Sequence, residues 1–358
     1  MRNNIMSRSS AYLILFFIFI GALFFVNQAV ACSRVVYNGP NGTIITGRNM
    51  DWKTKIPANL WLFPRGIERS GNAGSSSIKW KSKYGSVVVS SWDFAVSDGM
   101  NEKGLVGNLL WLAESKYPEF KKDGEQPGLA ISLWLQYVLD TFVTVDEAVT
   151  ALSKEDFVVT TFNIPGTQRM ATLHLSLSDK KGDSAILEYI DGKLVVHHDT
   201  SYVVMTNSPI YEEQLSINAY WKDIPGTIML PGTNRAADRF VRGSYYINSV
   251  PKTDKVEVAV PIVFSVIRNM SVPFGISTPD QPNISSTRWR TVADQKNLVF
   301  YFEDILNPSV VWLDLKKLDF SAKAKVKKLI LEDHSYNYAR ESSKFLKETK
   351  PFEFAGIE

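Results

Sequence analysis

Residues 29–52 read AVACSRVVYNGPNGTIITGRNMDW, and this stretch decides how the rest of the chain is interpreted. Within it, residues 33–52 contain two β-rich runs. A turn dense in Asn, Gly and Pro, residues 38–42, separates the runs, so a β-hairpin is predicted. Cys32 is the only cysteine of the chain and follows Ala-Val-Ala at 29–31. The predicted hairpin therefore begins directly after a residue that can carry chemistry.

The residues before Cys32 have the three parts of a secretory signal peptide. Arg2 and Arg8 form a basic region, residues 11–26 are an uncharged apolar run, and residues 29–31 form a small-residue cleavage site. The apolar run is shorter than the roughly 20 residues that a membrane-spanning helix needs, so cleavage is favoured over an uncleaved anchor. We expect removal of residues 1–31 and a mature protein, residues 32–358, that is periplasmic or secreted and not bound to the membrane.

The composition excludes several classes of protein. Hydrophobic residues make up 45% of the chain and charged residues 22%, which excludes wholesale disorder. The 40 basic residues nearly balance the 37 acidic ones, so no nucleic-acid partner is indicated. One cysteine and four histidines leave little material for a metal site, and no HExxH, GxGxxG or Walker A motif occurs.

Three interpretations of Cys32 remain open at this point. It is an incidental buried residue, the lipid-bearing cysteine of a bacterial lipoprotein, or a free N-terminal nucleophile. Ala29 disfavours the second, because lipoprotein signals usually carry Leu three residues before the cysteine. In the third, the α-amine, with an ordinary pKa of about 7.7–8.0, accepts the proton of a thiol with an ordinary pKa of about 8.5. Nucleophile and base then belong to one residue.

The pattern along the chain predicts a layered α+β domain. Strands are predicted at 87–89, 202–207, 289–292 and 298–302, a hairpin at 183–198 that turns at Asp191-Gly192, and a turn at 97–101. Helices are predicted at 129–142, 236–246 and 258–268, and a capping box at 144–147 opens another. Strands and helices do not alternate regularly, which argues against a parallel doubly wound sheet. No linker or repeat divides the chain, so residues 32–358 are predicted to form a single domain.

Several motifs occur in the order typical of one enzyme family, and the chain resembles the choloylglycine hydrolases. These are the bile salt hydrolases and penicillin V acylases of the N-terminal nucleophile superfamily, here of the type exported by Gram-negative bacteria. The resemblance covers essentially the whole mature chain, and it implies a four-layer αββα sandwich, hydrolysis of linear amides and no cofactor. After Cys32 the motifs are GRNMDW (47–52), DGMNEKGL (98–105), MTNSP (205–209), LPG (230–232) with DRF (238–240), and SSTRW (285–289).

The resemblance implies a role for each of five residues. Cys32 resembles the nucleophile, with its α-amine as the base. Arg48 resembles the family's arginine beside the thiol, where a cation favours the thiolate, and Asp51 resembles the carboxylate that holds the α-amine. Asn207 resembles a donor to the oxyanion of the tetrahedral intermediate. Arg239 resembles the last polar residue of the site.

Three of these roles have competing interpretations. Arg48 and Asp51 stand at the spacing of a surface ion pair, which is common and contributes little. Asn207 precedes Ser-Pro and is also explained as a turn residue at the end of a strand. Arg235 lies close to Arg239 in the sequence and is an alternative for the same role.

Two tryptophans complete the implied site. Counting from Gly104-Leu105, Trp111 falls at the position that pairs with Asn207 in the oxyanion hole, where its backbone N–H serves. Trp52 and Trp111 are expected to wall a pocket, although core packing is the usual role of an aromatic residue.

The implied partner is a small N-acyl amide, and conjugated bile salts, penicillin V and N-acyl homoserine lactones all fit. Bile salts are favoured slightly over penicillin V. We also expect a homo-oligomer, although the short span from Asn207 to Arg239 puts the tetramer interface of Gram-positive relatives in doubt. The alternative of a different class is a binding lipoprotein attached through Cys32.

Overall fold

The computed structural model of the chain describes residues 32–122, 124–164, 167–277, 285–331 and 340–357. The predicted signal peptide, residues 1–31, lies outside the described residues. None of the described helices is both long and apolar enough to cross a membrane.

The described residues form twenty β-strands and five α-helices. The strands are β1 (Cys32–Asn38), β2 (Ile44–Trp52), β3 (Ala58–Phe63), β4 (Glu68–Ser70), β5 (Lys79–Lys81), β6 (Ser86–Ser91), β7 (Ala95–Asn101), β8 (Val106–Trp111), β9 (Gly128–Ala130), β10 (Val158–Thr160), β11 (Leu173–Ser178), β12 (Ser184–Ile190), β13 (Lys193–His198), β14 (Val204–Met205), β15 (Ser286–Asp294), β16 (Val299–Asp304), β17 (Asn307–Asp314), β18 (Lys327–Ile330), β19 (Arg340–Glu341) and β20 (Lys347–Glu348). The helices are α1 (Ile131–Thr141), α2 (Val145–Leu152), α3 (Tyr211–Lys222), α4 (Ala236–Ser249) and α5 (Val256–Asn269).

Sixteen of these strands form two large sheets. The seven-stranded sheet has the order β14-β1-β2-β15-β16-β17-β19, and the nine-stranded sheet has the order β13-β12-β11-β8-β7-β6-β3-β18-β20. Neighbouring strands within both sheets are antiparallel except β17 and β19. Strand β8 of the larger sheet contacts β1 and β2 of the smaller one, so the two sheets face each other.

Helices cover the outer face of each sheet. Helices α4 and α5 pack on β1 and β2, and helix α1 packs on β7 and β8. Strand β3 contributes side chains to both sides of its sheet, because successive side chains of a strand point to opposite faces. Leu60 and Leu62 pack with the seven-stranded sheet, whereas Trp61 and Phe63 pack in the core beneath α1. The layers run helix, sheet, sheet, helix, and the predicted αββα sandwich is confirmed.

The predicted hairpin of residues 32–52 lies inside the seven-stranded sheet, between β14 and β15. Strands β1 and β2 pair with Cys32 opposite Met50. Strand β15 pairs with the other edge of β2 and places Thr287 opposite Asp51. Arg48 and Met50 share one face of β2 and Asp51 belongs to the other, because neighbouring residues alternate. Cys32 is thus brought close to groups on both faces of the sheet.

Most predicted elements are confirmed. The hairpin of residues 183–198 is β12 and β13, with positive φ angles at Asp191 and Gly192. At the start of α2, the Thr144 hydroxyl accepts a hydrogen bond of 3.2 Å from the Glu147 backbone N–H. The strand predicted at 202–207 is shorter than expected, since only Val204–Met205 pair in the sheet.

The turn predicted at residues 97–101 is wrong, because these residues lie inside strand β7. The glycine that suggested a turn has a packing role instead. A Cβ atom on Gly99 would lie 2.7 Å from Cδ1 of Leu139 on helix α1 and 2.8 Å from Cγ1 of Val88, so a larger residue would force these side chains to move. The turn follows at residues 102–104, where Gly104 has a φ of 89°. Asp98 is consequently fixed on a rigid strand.

Candidate active site

Cys32 is the first described residue of the chain and one of the most tightly held. It is 2% exposed. Its backbone nitrogen donates a short hydrogen bond to Oδ1 of Asn207, and its carbonyl oxygen accepts one from Nη1 of Arg239. Its sulfur lies 3.8 Å from Nη2 of Arg48 and 3.8 Å from the carbonyl oxygen of Asp51. The structure therefore brings together all five residues predicted for the catalytic site.

Arg48 is fully buried and spans from the thiol to the nine-stranded sheet. Nη1 donates to Oδ2 of Asp98 at 3.0 Å, and Nη2 donates to the carbonyl oxygen of Leu109 at 3.0 Å. The alternative of a surface ion pair between Arg48 and Asp51 is wrong. The partner is Asp98, a residue that sequence analysis did not place in the site, although it opens the quoted motif at 98–105.

Asp98 is itself held by neighbours. Its Oδ1 accepts from Asn108 at 3.0 Å, and its Oδ2 also lies 3.3 Å from Nε1 of Trp289. Both carboxylate oxygens are occupied, so Asp98 has little freedom to move. Arg48 is consequently oriented by a rigid partner, which fixes the position of its cation beside Cys32.

Asn207 connects the two large sheets beside the thiol, because its side chain bonds both Cys32 of β1 and Trp111 of β8. Its Nδ2 donates to the carbonyl oxygen of Trp111 at 2.7 Å, and its Oδ1 also accepts from Nη2 of Arg239 at 2.9 Å. Gln214, buried at the start of α3, donates to the backbone carbonyl of Asn207. Asn207 is therefore a buried and fully oriented side chain, which the interpretation as a simple turn residue does not explain.

The backbone of Trp111 faces the same point. The N–H of Leu112 donates to Thr172 at 3.0 Å, across the edge where β8 meets β11. Backbone groups alternate in direction along an antiparallel strand, so the N–H and C=O of Trp111 point away from β11 and toward the site. The carbonyl oxygen is taken by Asn207. The predicted use of the Trp111 N–H is thus geometrically available.

Arg239 is fully buried on helix α4 and makes four hydrogen bonds with three of its nitrogens. It donates to the Cys32 carbonyl, the Ser33 hydroxyl, Asn207 and the carbonyl of Asn234. Arg235 lies at the N-cap of α4. The arginine whose side chain reaches Cys32 is therefore Arg239, as predicted.

The two carboxylate oxygens of Asp51, which lies beneath Cys32, differ in their hydrogen bonding. Oδ1 accepts from the Thr287 hydroxyl, and Oδ2 lies 3.8 Å from Nη1 of Arg239. Oδ2 is buried and accepts no hydrogen bond from the described residues. Burial raises the pKa of Asp51 to about 6, although Arg239 and the Thr287 hydroxyl oppose the rise. Thr287 was quoted only as part of a motif, and its contact with Asp51 depends on the pairing of β15 with β2.

The thiol of Cys32 has a raised pKa. Burial is the largest cause, and the Arg48 guanidinium acts in the opposite direction without outweighing it. The prediction that Arg48 favours the thiolate has the right sign, but burial is stronger. The thiol is therefore protonated at neutral pH and needs a base to become a nucleophile.

An apolar cavity opens beside the sulfur. Trp52 and Trp111 both line it, as predicted, and their ring centroids are 5.7 Å apart. Trp92, Phe94 and Phe162 line it as well, and sequence analysis did not identify these three. Their signal was weak, because each is a lone aromatic residue outside the quoted motifs. Among the described residues, no cluster of His, Cys, Asp and Glu could hold a metal ion.

Comparison with known proteins shows what the chain is similar to. Residues 32–328 match the family model described as "Linear amide C-N hydrolases, choloylglycine hydrolase family". The chain is 50% identical over 350 residues to the penicillin V acylase of Pectobacterium atrosepticum, covering 92% of this chain and 93% of that protein. It is 24% identical over 312 residues to the bile salt hydrolase/transferase of Clostridium perfringens, covering 80% of this chain and 93% of that protein.

Two solved structures are also similar to this chain. The penicillin V acylase of Agrobacterium tumefaciens superposes with a TM-score of 0.85 at 57% identity, covering 91% of this chain and all of that one. A mutant conjugated bile acid hydrolase of Clostridium perfringens superposes with a TM-score of 0.72 at 21% identity, covering 87% of this chain and 98% of that one. The second likeness supports the fold.

Proposed function

The chain belongs to the choloylglycine hydrolase family of linear amide C–N hydrolases, and we propose that its nucleophile is Cys32, made N-terminal by removal of residues 1–31. One observation carries the proposal. Both ends of the Cys32 backbone are held by side chains, the nitrogen by Asn207 and the carbonyl by Arg239. This leaves the sulfur between Arg48 and the apolar cavity. A merely structural cysteine does not require such an arrangement.

The surroundings of the Cys32 nitrogen support its use as the base. While the Cys32 nitrogen is part of a peptide bond it carries one hydrogen, which it donates to Asn207. A free ammonium has two more, and the buried Oδ2 of Asp51 accepts no hydrogen bond from the described residues. The raised thiol pKa makes a base necessary, and a free α-amine with an ordinary pKa of about 7.7–8.0 can serve near neutral pH.

The reaction then proceeds through an S-acyl enzyme. The thiol proton of Cys32 passes to the α-amine, and the sulfur bonds to the amide carbonyl carbon. The second hydrogen of Asn207 Nδ2 and the N–H of Trp111 stabilise the oxyanion. The α-ammonium protonates the leaving nitrogen as the C–N bond breaks. Water, giving its proton to the same amine, attacks the thioester, and the C–S bond breaks to release the acid and restore the thiol.

We infer that the substrate is an amide with an aromatic acyl group, of which penicillin V is the example. Two observations support this choice. The relative at 50% identity acts, by its name, on penicillin V, and the cavity beside Cys32 is walled by aromatic rings such as Trp52, Trp92 and Trp111. These observations replace the slight preference for bile salts that the sequence alone gives.

A substrate panel tests the proposal. Purified enzyme beginning at Cys32 is given penicillin V, glycine- and taurine-conjugated bile salts and an N-acyl homoserine lactone, and release of the amine is measured. We expect the highest kcat/KM for penicillin V and no turnover in Cys32→Ala. Preserved thermal stability of Cys32→Ala serves as the folding control. Full activity of that variant would rule out the thiol, and a preference for bile salts would rule out the substrate assignment.

Intact mass of the protein from an exporting host tests the position of the N terminus. We expect a mass that begins at unmodified Cys32, as proposed for an exported protein. A mass that includes diacylglycerol would contradict the mechanism because the sulfur of Cys32 would be blocked. A mass that retains residues 1–31 would contradict it because the α-amine would be part of a peptide bond. Formation of a homo-oligomer stays a proposal, which light scattering on the same preparation addresses.

A further inference from the structure

The turn between β6 and β7 has an unusual backbone. Trp92 and Asp93 have φ angles of 53° and 50°, and the N–H of Phe94 donates to the carbonyl of Ser91 at 3.2 Å. This is the pattern of a type I′ turn, whose two central positions strongly favour Asn-Gly, Asp-Gly or Gly-Gly. A bulky residue such as tryptophan is rarely found at positive φ, and such conformations persist only where the surroundings impose them.

The side chain of Asp93 supplies much of that constraint. Its carboxylate accepts hydrogen bonds from Nε1 of Trp61 at 2.9 Å, Nδ2 of Asn59 at 3.1 Å and Nζ of Lys328 at 2.6 Å. The Ser90 hydroxyl donates a fourth, short hydrogen bond. Trp61 and Asn59 lie on β3, and Lys328 lies on β18. Asp93 therefore ties the turn to two strands that precede and follow it by long stretches of chain.

The backbone of the turn is held from two further directions. The N–H of Trp92 donates to the carbonyl of Pro57 at 2.8 Å, and the carbonyl of Phe94 accepts from the N–H of Ala355 at 2.9 Å. Ala355 belongs to the C-terminal segment, which is anchored next to the turn by a hydrogen bond from Ser132 to the Ala355 carbonyl. The left-handed conformation is thus over-determined by contacts from several elements.

The constrained turn presents two aromatic rings to the cavity beside Cys32. Trp92 and Phe94 both line the cavity, and their rings stack with centroids 5.4 Å apart and planes 3° apart. Trp92 also meets Trp52 edge to face, at 6.2 Å and 81°. Trp52 in turn contacts Trp111, whose carbonyl orients Asn207. A continuous series of rings therefore runs from the turn to the proposed oxyanion site.

We propose that the Ser91–Phe94 turn determines acyl-group specificity, with Trp92 and Phe94 contacting the acyl ring and Asp93 positioning them. The inference rests on the proposed function of Cys32. Aromatic pairs gain free energy beyond the apolar area that they bury, so this wall favours an aryloxyacetyl group over a saturated group of equal size. The unfavourable backbone conformation is retained because it aims Trp92 into the cavity.

The unmodified enzyme gives the first test. Phenoxyacetyl and cyclohexyloxyacetyl amides of the same amine, 6-aminopenicillanic acid, have acyl groups of similar size, but only the first has a π-system. We expect kcat/KM to be about 3- to 10-fold higher for the phenoxyacetyl amide. Equal values for two hydrolysed amides would overturn this inference alone. Hydrolysis of neither amide would overturn the proposed function as well.

Variants at Trp92 give the second test. Trp92→Leu is expected to lower the phenoxyacetyl to cyclohexyloxyacetyl ratio to about 1, whereas Trp92→Phe retains most of it. Trp312→Leu is the matched control, because Trp312 of β17 is half-buried against Tyr301 of β16 and does not line the cavity. That variant should keep the wild-type ratio. An equal loss for both amides in Trp92→Leu, with the ratio unchanged, would assign Trp92 a structural role only.

Two variants at Asp93 distinguish a role in positioning the rings from a role in folding. Asp93→Asn keeps an oxygen acceptor and a residue type that tolerates positive φ, whereas Asp93→Ala removes every acceptor. We expect Asp93→Ala to raise KM for the phenoxyacetyl amide about 3- to 10-fold with kcat changed less than about twofold, and Asp93→Asn to restore most of the loss. A fall in kcat for both amides, with no change in their ratio, would contradict the proposal.

Discussion

The polar half of the site (Cys32, Arg48, Asp51, Asn207 and Arg239) and its aromatic half (Trp52, Trp92, Phe94, Trp111 and Phe162) differ in how they are held. Every member of the polar half is at least 98% buried and fixed by directional hydrogen bonds. In the aromatic half, Trp52, Trp92, Phe94 and Trp111 contact one another through their rings, and Trp52 and Trp92 are only half-buried. The polar half therefore fixes the distances between its atoms, whereas the aromatic half provides apolar contact area.

This difference predicts two kinds of mutational effect. Groups that stabilise charge in the transition state change kcat when removed, whereas groups that bind the substrate and transition state equally change KM. The polar half should therefore control the chemical step and the aromatic half the choice and binding of the acyl group. Each variant below is expected to fall clearly on one side of this division.

The largest effect is expected for Asn207→Ala. The change removes a proposed oxyanion donor and the acceptor of the Cys32 nitrogen. Loss of one oxyanion donor lowers kcat about 10²- to 10³-fold, and we expect KM for penicillin V to change less than about threefold. Steady-state kinetics measure both. Asn218→Ala, a buried asparagine of helix α3 outside the cavity, is the control, and a KM effect in Asn207→Ala larger than its kcat effect would break the comparison.

Arg48→Lys is expected to have the next largest effect. Lysine keeps the charge but cannot donate to Asp98 and Leu109 in a fixed fork while facing the Cys32 sulfur. Hydrogen bonds to charged groups contribute about 1.5–3 kcal/mol, so kcat should fall about 10- to 100-fold.

Arg69→Lys is the matched control for Arg48→Lys. Arg69 forms a buried pair with Asp140 at 2.8 Å, and neither residue lines the cavity. Equal losses of kcat in the two arginine variants would show that any buried arginine pair is needed for folding rather than for the reaction.

Trp52→Leu should show the opposite kinetic pattern. Truncation removes ring contacts with Trp92 and Trp111 but no hydrogen bond of the polar half. We expect KM for penicillin V to rise about tenfold, or about 1.4 kcal/mol, with kcat within about twofold of wild type. Trp221→Leu on helix α3, away from the cavity, should leave both values unchanged. A fall in kcat comparable with that of Asn207→Ala would remove the distinction between the halves.

The same division explains what the sequence could predict. Cys32, Arg48, Asp51, Asn207 and Arg239 stand in motifs of fixed spacing, and the hairpin that carries three of them is visible in the pattern of residues 32–52. Asp98 and Thr287 were quoted within motifs, but their contacts depend on which strands become neighbours, and a linear pattern does not contain that information. The strand β7 was mistaken for a turn because Gly99 was interpreted by composition rather than by its packing against Leu139.

The aromatic half was largely missed for a related reason. Trp92 and Phe94 stand in a short segment, Ser91-Trp92-Asp93-Phe94, that has none of the Asn-Gly, Asp-Gly or Gly-Gly pairs that favour a type I′ turn. Their placement depends on Asp93 and on its donors Asn59, Trp61 and Lys328, up to 235 positions away. A turn that is imposed by tertiary contacts leaves no local signal.

The smallest expected effect concerns the stability of the polar half itself. The fold raises the pKa of Asp51 to about 6 by burial, so it favours the protonated carboxyl. That contribution to stability is fully present below the unfolded pKa of about 3.9 and is lost as the pH rises through about 6. The free ammonium of Cys32 opposes the shift, so we expect the contribution of Asp51 to stability to fall by only about 1 kcal/mol between pH 4 and pH 7.

Asp51→Asn isolates that loss, because asparagine does not titrate. The fall in melting temperature between pH 4 and pH 7 should be about 2 °C greater for the wild type than for Asp51→Asn. Asp191→Asn is the control, because Asp191 is exposed and its pKa is lowered by Lys116, so its removal should not produce this difference. An identical pH dependence of the melting temperature in wild type and Asp51→Asn would mean that the charged Asp51 carboxylate does not destabilise the fold. The polar half would then be pre-organised for the ammonium without strain, and its difference from the aromatic half would lie in geometry alone.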